Sequence, residues 1–268
     1  MTSIKKLSLV IFALVFTAAA CTTVPITGRS QFNIVPDQQM LSMSFQQYDQ
    51  FLKENKLSTD PAKTRMVKTV GQRISRAVEQ YLKENNMANE IRNYSWEFNL
   101  VENDEINAWC MPGGKVVIYT GILPVAQNDS GLAVVMGHEI AHAVAKHGNE
   151  RMSHAMAVQM GGLGLSAALS SYPQQTQELW MAVVGAGAQV GFMLPYSRLH
   201  EREADELGLI FMAMAGYDPN HAVGFWQRMS QQKAGAAPPE FLSTHPSDAA
   251  RIQNIRELIP KAMTYYRP

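Results

Sequence analysis

Cysteine is nearly absent from this sequence: of 268 residues only Cys21 and Cys110 are cysteines, too few for a disulfide scaffold. Net charge is absent as well, with 23 basic residues against 23 acidic ones. Without a basic excess or a block of like charge, the chain lacks the electrostatic footprint of a nucleic-acid binder. No internal repeat of about 20–50 residues is found, which argues against solenoids and propellers. What the sequence does have is apolar material: 46% of residues are hydrophobic and 17% charged. That is enough to bury the core of one large domain or two small ones, and it is not the composition of a disordered chain.

The first twenty residues read as an address. Lys5 and Lys6 form a basic start, Leu7 to Phe16 is apolar apart from one serine, and Thr17 to Ala20 supplies small residues, the three parts of an export signal. The apolar run is about half the roughly 20 residues a membrane span needs. Cys21 then resembles the acylated cysteine of the bacterial lipobox. Ala18 stands where leucine is usual, and Ala18-x-Ala20 also suits ordinary signal cleavage. The expectation is a signal over 1–20, a lipidated tether over 21–36, and one domain over 37–268. The chain would be held to a membrane through Cys21 and face the periplasm of a bacterial envelope, with a soluble periplasmic or secreted form as the alternative.

Periodicity supplies the elements. Leu41, Phe45, Tyr48 and Leu52 share one helical stripe from Asp37. Asp60-Pro61 is a cap followed by proline at a first helical position, opening a helix to about Glu84. Tyr94, Trp96, Phe98 and Leu100 alternate as in a half-buried strand, and 106–111 with 115–120 read as a hairpin around Pro112-Gly113-Gly114. Helices are predicted near 129–149, 153–170, 176–193, 198–214, 219–232 and 246–258, with a loop from Gln231 to Pro239. The fold class is therefore α+β: mostly helical, with a small sheet.

The chemistry lies in His138-Glu139-x-x-His142. Four residues turn a helix by about 400°, so both imidazoles leave one face a turn apart, as two nitrogen ligands of one Zn²⁺ require. Glu139, offset by about 100°, can lean over the metal to act as general base rather than ligand. Chance gives this pattern in about one chain in a hundred of this composition. A third ligand is needed. His147 fails on angle, lying about 140° from His142 and 180° from His138 around the helix, and reads as a polar residue near a helix end. Glu201 is the better candidate, with Asp205 one turn on to accept a hydrogen bond from the outer N–H of a histidine ligand. Taken alone, a charged run such as Glu201-Arg202-Glu203 reads as a solvated face.

Together, His-Glu-x-x-His and Glu201-x-x-x-Asp205 are similar to the zinc metallopeptidases that include the CAAX prenyl protease and the bacterial heat-shock membrane protease. The closer likeness is to their soluble, single-domain periplasmic lipoprotein branch. Asn107 to Gly114 resembles the strand and turn ahead of the active helix in that family, Ser197-Arg198 its lead-in to the glutamate, and His245-Pro246 with Arg251 its C-terminal element. The resemblance implies a zincin-like domain whose edge strand lines the active site, with His138, His142 and Glu201 as ligands of one zinc and Glu139 as catalytic base. It implies a metalloendopeptidase. Main-chain pairing with the strand at Asn107, Ala108 and Trp109 would favour unfolded or extended polypeptides, such as misassembled envelope proteins.

Several readings stay open on the sequence. His245 could stabilise the oxyanion, or fill the fourth zinc position until a loop moves. Cys110 beside the site reads as packing or as a soft ligand. Residues 155–170 and 178–194 read as core or lid helices rather than spans. A zinc-holding chaperone or assembly factor with secondary proteolysis is the functional alternative, and a structural lipoprotein with vestigial motifs is a further one.

Overall fold

The computed structural model describes residues 21–24, 26–169, 198–232 and 239–268. In chain order the first elements are β1 (Cys21–Thr23), β2 (Ser30–Phe32), α1 (Asp37–Glu54) and α2 (Pro61–Glu84). Then come β3 (Glu97–Val101), β4 (Ala108–Met111), β5 (Lys115–Tyr119) and α3 (Asp129–Val144). Helices α4 (His147–Leu169), α5 (Arg198–Met214), α6 (His221–Gln231), α7 (Glu240–Thr244) and α8 (Ala249–Met263) follow, and short helical turns at Ala88–Ile91, Thr120–Ile122 and Leu123–Ala126 lie between the named elements. The result is a mostly helical α+β fold with small sheets, zincin-like in class. The helix expected over 176–193 lies outside the described residues. No helix among the described residues is long and apolar enough to cross a membrane.

The chain divides into two compact units, Met1–Gln39 with Gly148–Leu194, and Met40–His147 with Pro195–Pro268. In the first unit, the stretch expected as an irregular tether contains a hairpin in which β1 pairs antiparallel with β2. Arg29 grips Glu150 with both guanidinium nitrogens, at 3.0 and 2.7 Å. The Ser153 hydroxyl accepts from the Ile34 N–H at 3.0 Å, and Asn149 donates to the Val35 carbonyl at 3.1 Å. These polar ties replace the apolar periodicity that the stretch lacks.

In the second unit, α2 begins as its cap dictates: Asp60 Oδ1 accepts from the backbone N–H of Ala62 and Lys63, each at 3.0 Å. Its stripe of Val67, Val70, Ile74, Ala77, Val78 and Tyr81 is buried. The sheet runs β3-β5-β4, with the fully buried β5 in the centre, parallel to β3 and antiparallel to β4. Gly113 and Gly114 turn the β4–β5 hairpin at φ +89° and +85°, a region that glycine enters without strain. β4 is thus a sheet edge. Trp109 and Met111 pack on one side with Tyr48, Phe51, Val117 and Tyr119. Strand alternation sends Ala108 and Cys110 to the other side, and α3 packs against β4.

Helix α3 is apolar almost all round, so it is a core helix rather than an amphipathic one. Asn128 caps it, accepting from the Gly131 N–H at 2.9 Å. The single helix expected over 129–149 is instead two: α3 stops, Lys146 takes a left-handed φ of +57°, and α4 starts at His147. Helix α5 crosses α3 at Gly137 and Gly208. A Cβ on Gly137 would sit 2.8 Å from the Gly208 carbonyl oxygen, and one on Gly208 2.8 Å from the His138 nitrogen. Helices α6 and α8 pack against this pair.

Because only backbone lies across that contact, Gly208→Ala must push α3 and α5 apart. We expect a loss of about 1–3 kcal/mol in stability, read by thermal unfolding, together with weaker metal uptake by the chain. Unchanged values for both would refute the role given to this crossing.

Candidate metal centre

Beside that crossing, α3 and α5 deliver their polar side chains to one buried point. His138 and His142 present Nε2 atoms 3.0 Å apart. Glu201 places Oε1 3.3 Å from His142 Nε2 and Oε2 3.4 Å from His138 Nε2. From the turn after α7, His245 brings Nδ1 to 3.2 Å from His138 Nε2 and 3.0 Å from Glu201 Oε1. All four residues are buried, and their donor atoms lie within 4.8 Å of one another. In a tetrahedral zinc site with bonds of about 2.0–2.1 Å, neighbouring donors stand about 3.3 Å apart. Both the spacing and the imidazole–carboxylate donor set fit a zinc ion.

Glu139, next along α3, is buried, and its Oε1 makes no hydrogen bond although it lies 3.5 Å from His245 Nε2. Burial raises its pKa, against the opposing pull of His245 and His138. A carboxyl group held nearer to neutrality suits proton transfer. Burial also holds His142 well below the ordinary histidine range. At His138 burial acts in the same direction, but the Glu201 charge and the Asp205 hydrogen bond outweigh it and lift the group to about 9.

The two histidines differ in what holds them from behind. His138 Nδ1 lies 3.0 Å from Asp205 Oδ1, one turn past Glu201 on α5. His142 Nδ1 faces His147 Nδ1 at 2.8 Å, and His147 Nε2 faces Glu203 Oε2 at 2.9 Å. Sequence reasoning discarded His147 and passed over Glu203. The angle of about 140° holds for an unbroken helix, which left-handed Lys146 interrupts, yet His147 still lies outside the group of four donors. His147, expected as a polar residue near a helix end, stands at the start of α4 and is fully buried.

Arg251 ties the α5 carboxylates together. Its Nε and Nη2 donate to Asp205 at 2.9 and 2.7 Å, and Nη1 lies 2.7 Å from Glu201 Oε2. Nη1 also donates to the Pro246 carbonyl at 3.1 Å, and the guanidinium lies over the Trp226 ring at 3.5 Å. Against the upward push of burial, the positive charges of His245, Arg251 and His138 hold Glu201 far below the usual carboxylate range. Arg251 and His138 do the same for Asp205.

The strand residues are divided by their alternation. Asn107 and Ala108 are buried, with Asn107 Oδ1 accepting from the Ala108 N–H at 2.9 Å. The Trp109 ring packs on Phe51 at 4.9 Å, so its side chain turns away from the helix that carries Glu139. The Cys110 thiol is pushed well up by burial and by the Glu139 charge. Cys21 begins β1.

Removing the guanidinium would leave two buried carboxylates without the permanent cation that pairs with both. Arg251→Gln should cost about 3–5 kcal/mol. Arg251→Lys should recover part of it, since lysine keeps the charge but not the fork. Denaturant unfolding of both variants checks this, and equal stability of Arg251→Gln and wild type would contradict it.

Comparison with known proteins agrees with this geometry. Residues 68–259 match the family model described as Peptidase family M48. The chain is 38% identical over 169 residues to the mitochondrial metalloendopeptidase OMA1 of Schizosaccharomyces pombe, covering 62% of this chain and 48% of that one. It is 30% identical over 251 residues to the Saccharomyces cerevisiae protein of the same name, covering 90% and 70%. With the beta-barrel assembly-enhancing protease of Escherichia coli K12 it shares 28% over 244 residues, covering 89% and 47%. The chain thus spans from about half to 70% of the length of these relatives. From Lys68 through α3 and α5 to α8, the chain belongs to peptidase family M48.

Proposed function

We propose that this protein is a zinc-dependent metalloendopeptidase. Its substrates would be unfolded or misassembled polypeptides of a bacterial envelope, where it would be tethered through a lipid on Cys21. This is the soluble, lipid-anchored branch to which its motifs bear the closer likeness. The observation that carries the reading is the set of four buried donor residues whose ligand atoms lie within 4.8 Å of one another, with the Glu139 carboxylate alongside. The relatives named as metalloendopeptidases support the reaction class. The one named for beta-barrel assembly supports an envelope client, and the leader and Cys21 support the tether.

His138, His142 and Glu201 would hold the ion, and Asp205 would orient His138. When bound, zinc supplies Lewis acidity, acidifying a water and polarising the substrate carbonyl. Glu139 takes the proton and returns it to the leaving amine. The sheet edge at Asn107 to Trp109 would align extended substrate by main-chain pairing, while Trp109 braces the strand from its far side.

His245 supplies a fourth donor where a working zinc peptidase keeps a position open. This supports the blocking role over the oxyanion role. The chain leading to it also lies at the strand, with the Phe241 N–H reaching the Ile106 carbonyl at 3.4 Å. On this reading the described conformation is a resting one, and His245 must swing away for substrate to enter.

Two measurements test these assignments. Glu139→Gln should keep about one zinc per chain and cleave an unfolded protein about 10²–10⁴-fold more slowly than wild type. Equal cleavage by both would remove the enzyme reading. His245→Ala should retain zinc and raise turnover severalfold, whereas abolished turnover with zinc retained would assign His245 to the oxyanion instead.

A further inference from the structure

The geometry points to His147 and Glu203 as a positioning relay that fixes the proton on His142 and transmits carboxylate charge to it. The inference rests on the metal centre proposed above. Its starting point is an asymmetry: His138 meets the carboxylate of Asp205 directly at 3.0 Å. His142 reaches a carboxylate of the same helix only through a second imidazole, by contacts of 2.8 and 2.9 Å.

The proton assignment along this chain is determined by chemistry. His142 Nε2 faces His138 Nε2 and Glu201 Oε1, so as a ligand it must offer a lone pair there. Neutral imidazole then carries its proton on Nδ1. That N–H points at His147 Nδ1, which must accept. His147 is therefore neutral, with its own proton on Nε2, and that N–H donates to Glu203. A cationic His147 would set two N–H groups against each other at 2.8 Å. The Glu203 charge thereby polarises His147, which polarises His142 and raises its basicity toward the metal, as a directly bound carboxylate does.

Local structure maintains the relay. Left-handed Lys146 turns the chain so that His147 comes back over His142. The His147 ring is fully buried and stacks on His200 at 4.4 Å with 25° between the planes. Glu203 is buried on α5 between Glu201 and Asp205 in sequence. One helix thus supplies the carboxylate ligand and the carboxylate behind each histidine, one by direct contact and one by relay.

The test is zinc affinity, measured by chelator competition on metal-free protein reloaded with zinc, alongside thermal unfolding of the metal-free form. Glu203→Gln should weaken zinc binding about 10–100-fold with metal-free stability nearly unchanged. Glu206→Gln removes the same charge from the same helix where it pairs with surface Lys261, and it should leave affinity as in wild type. His147→Phe keeps the ring and its stack but neither hydrogen bond, and it should weaken binding at least as much as Glu203→Gln. Adding Glu203→Gln to His147→Phe should then cost nothing more, because the charge has lost its path. Merely structural effects of two separate defects would instead add. A Glu203→Gln affinity within twofold of wild type, or additive losses in the double variant, overturns the relay. Should His147→Phe not fold, the comparison of Glu203→Gln with Glu206→Gln decides alone. A wild-type chain that takes up no zinc would defeat the metal centre itself, a result distinct from any of these.

Discussion

The close crossing of α3 and α5 is the constraint on which the rest depends. Packed helices ordinarily keep their axes about 8–10 Å apart, depending on the side chains at the contact. Here Gly137 and Gly208 put backbone against backbone, with no room for a methyl group on either side. One residue beyond Gly137 stands His138, and two turns before Gly208 stands Glu201. Carboxylate oxygens from one helix therefore arrive 3.3–3.4 Å from imidazole nitrogens of the other. A wider crossing would leave the ligand set open by more than a tetrahedral ion tolerates.

That proximity has an electrostatic consequence. Glu139, Glu201, Glu203 and Asp205 are all buried in one cluster, where the side chain with a permanent positive charge is Arg251. Ionised carboxylates out of water are costly unless they are paired. Arg251 compensates Glu201 and Asp205 together, and a divalent cation held by His138, His142 and Glu201 would complete the balance. The same guanidinium bonds the Pro246 carbonyl, so the turn bearing His245 is held to the ligand helix by the group that neutralises it. Whatever moves His245 must work against that bond.

Much of this was legible in the sequence because it follows local rules. The spacing of His138, His142, Glu201 and Asp205 needs only the period of a helix, and the structure brings these residues together. The α2 cap at Asp60-Pro61 and the Gly113-Gly114 turn were readable for the same reason. What escaped depended on a single backbone angle or on distant partners. Lys146 is not a residue type that announces a left-handed turn, so the helix was carried through to 149 and His147 was dismissed. The hairpin at Cys21–Phe32 is held by Arg29–Glu150, a pairing across 121 residues, and no periodicity marks it. The sequence sets both Trp109 and Cys110 beside the site, whereas strand alternation sends them to opposite faces and the packing of Trp109 on Phe51 marks the face that turns away.

The point where α3 and α5 converge should hold a tetrahedral zinc through nitrogen and oxygen alone. X-ray absorption at the zinc edge on the metal-loaded protein tests it most directly. The account predicts four N/O neighbours at about 2.0–2.1 Å with the outer-shell scattering of imidazole. A sulfur neighbour at about 2.3 Å, which would bring in Cys110, or a shell without imidazole would contradict it.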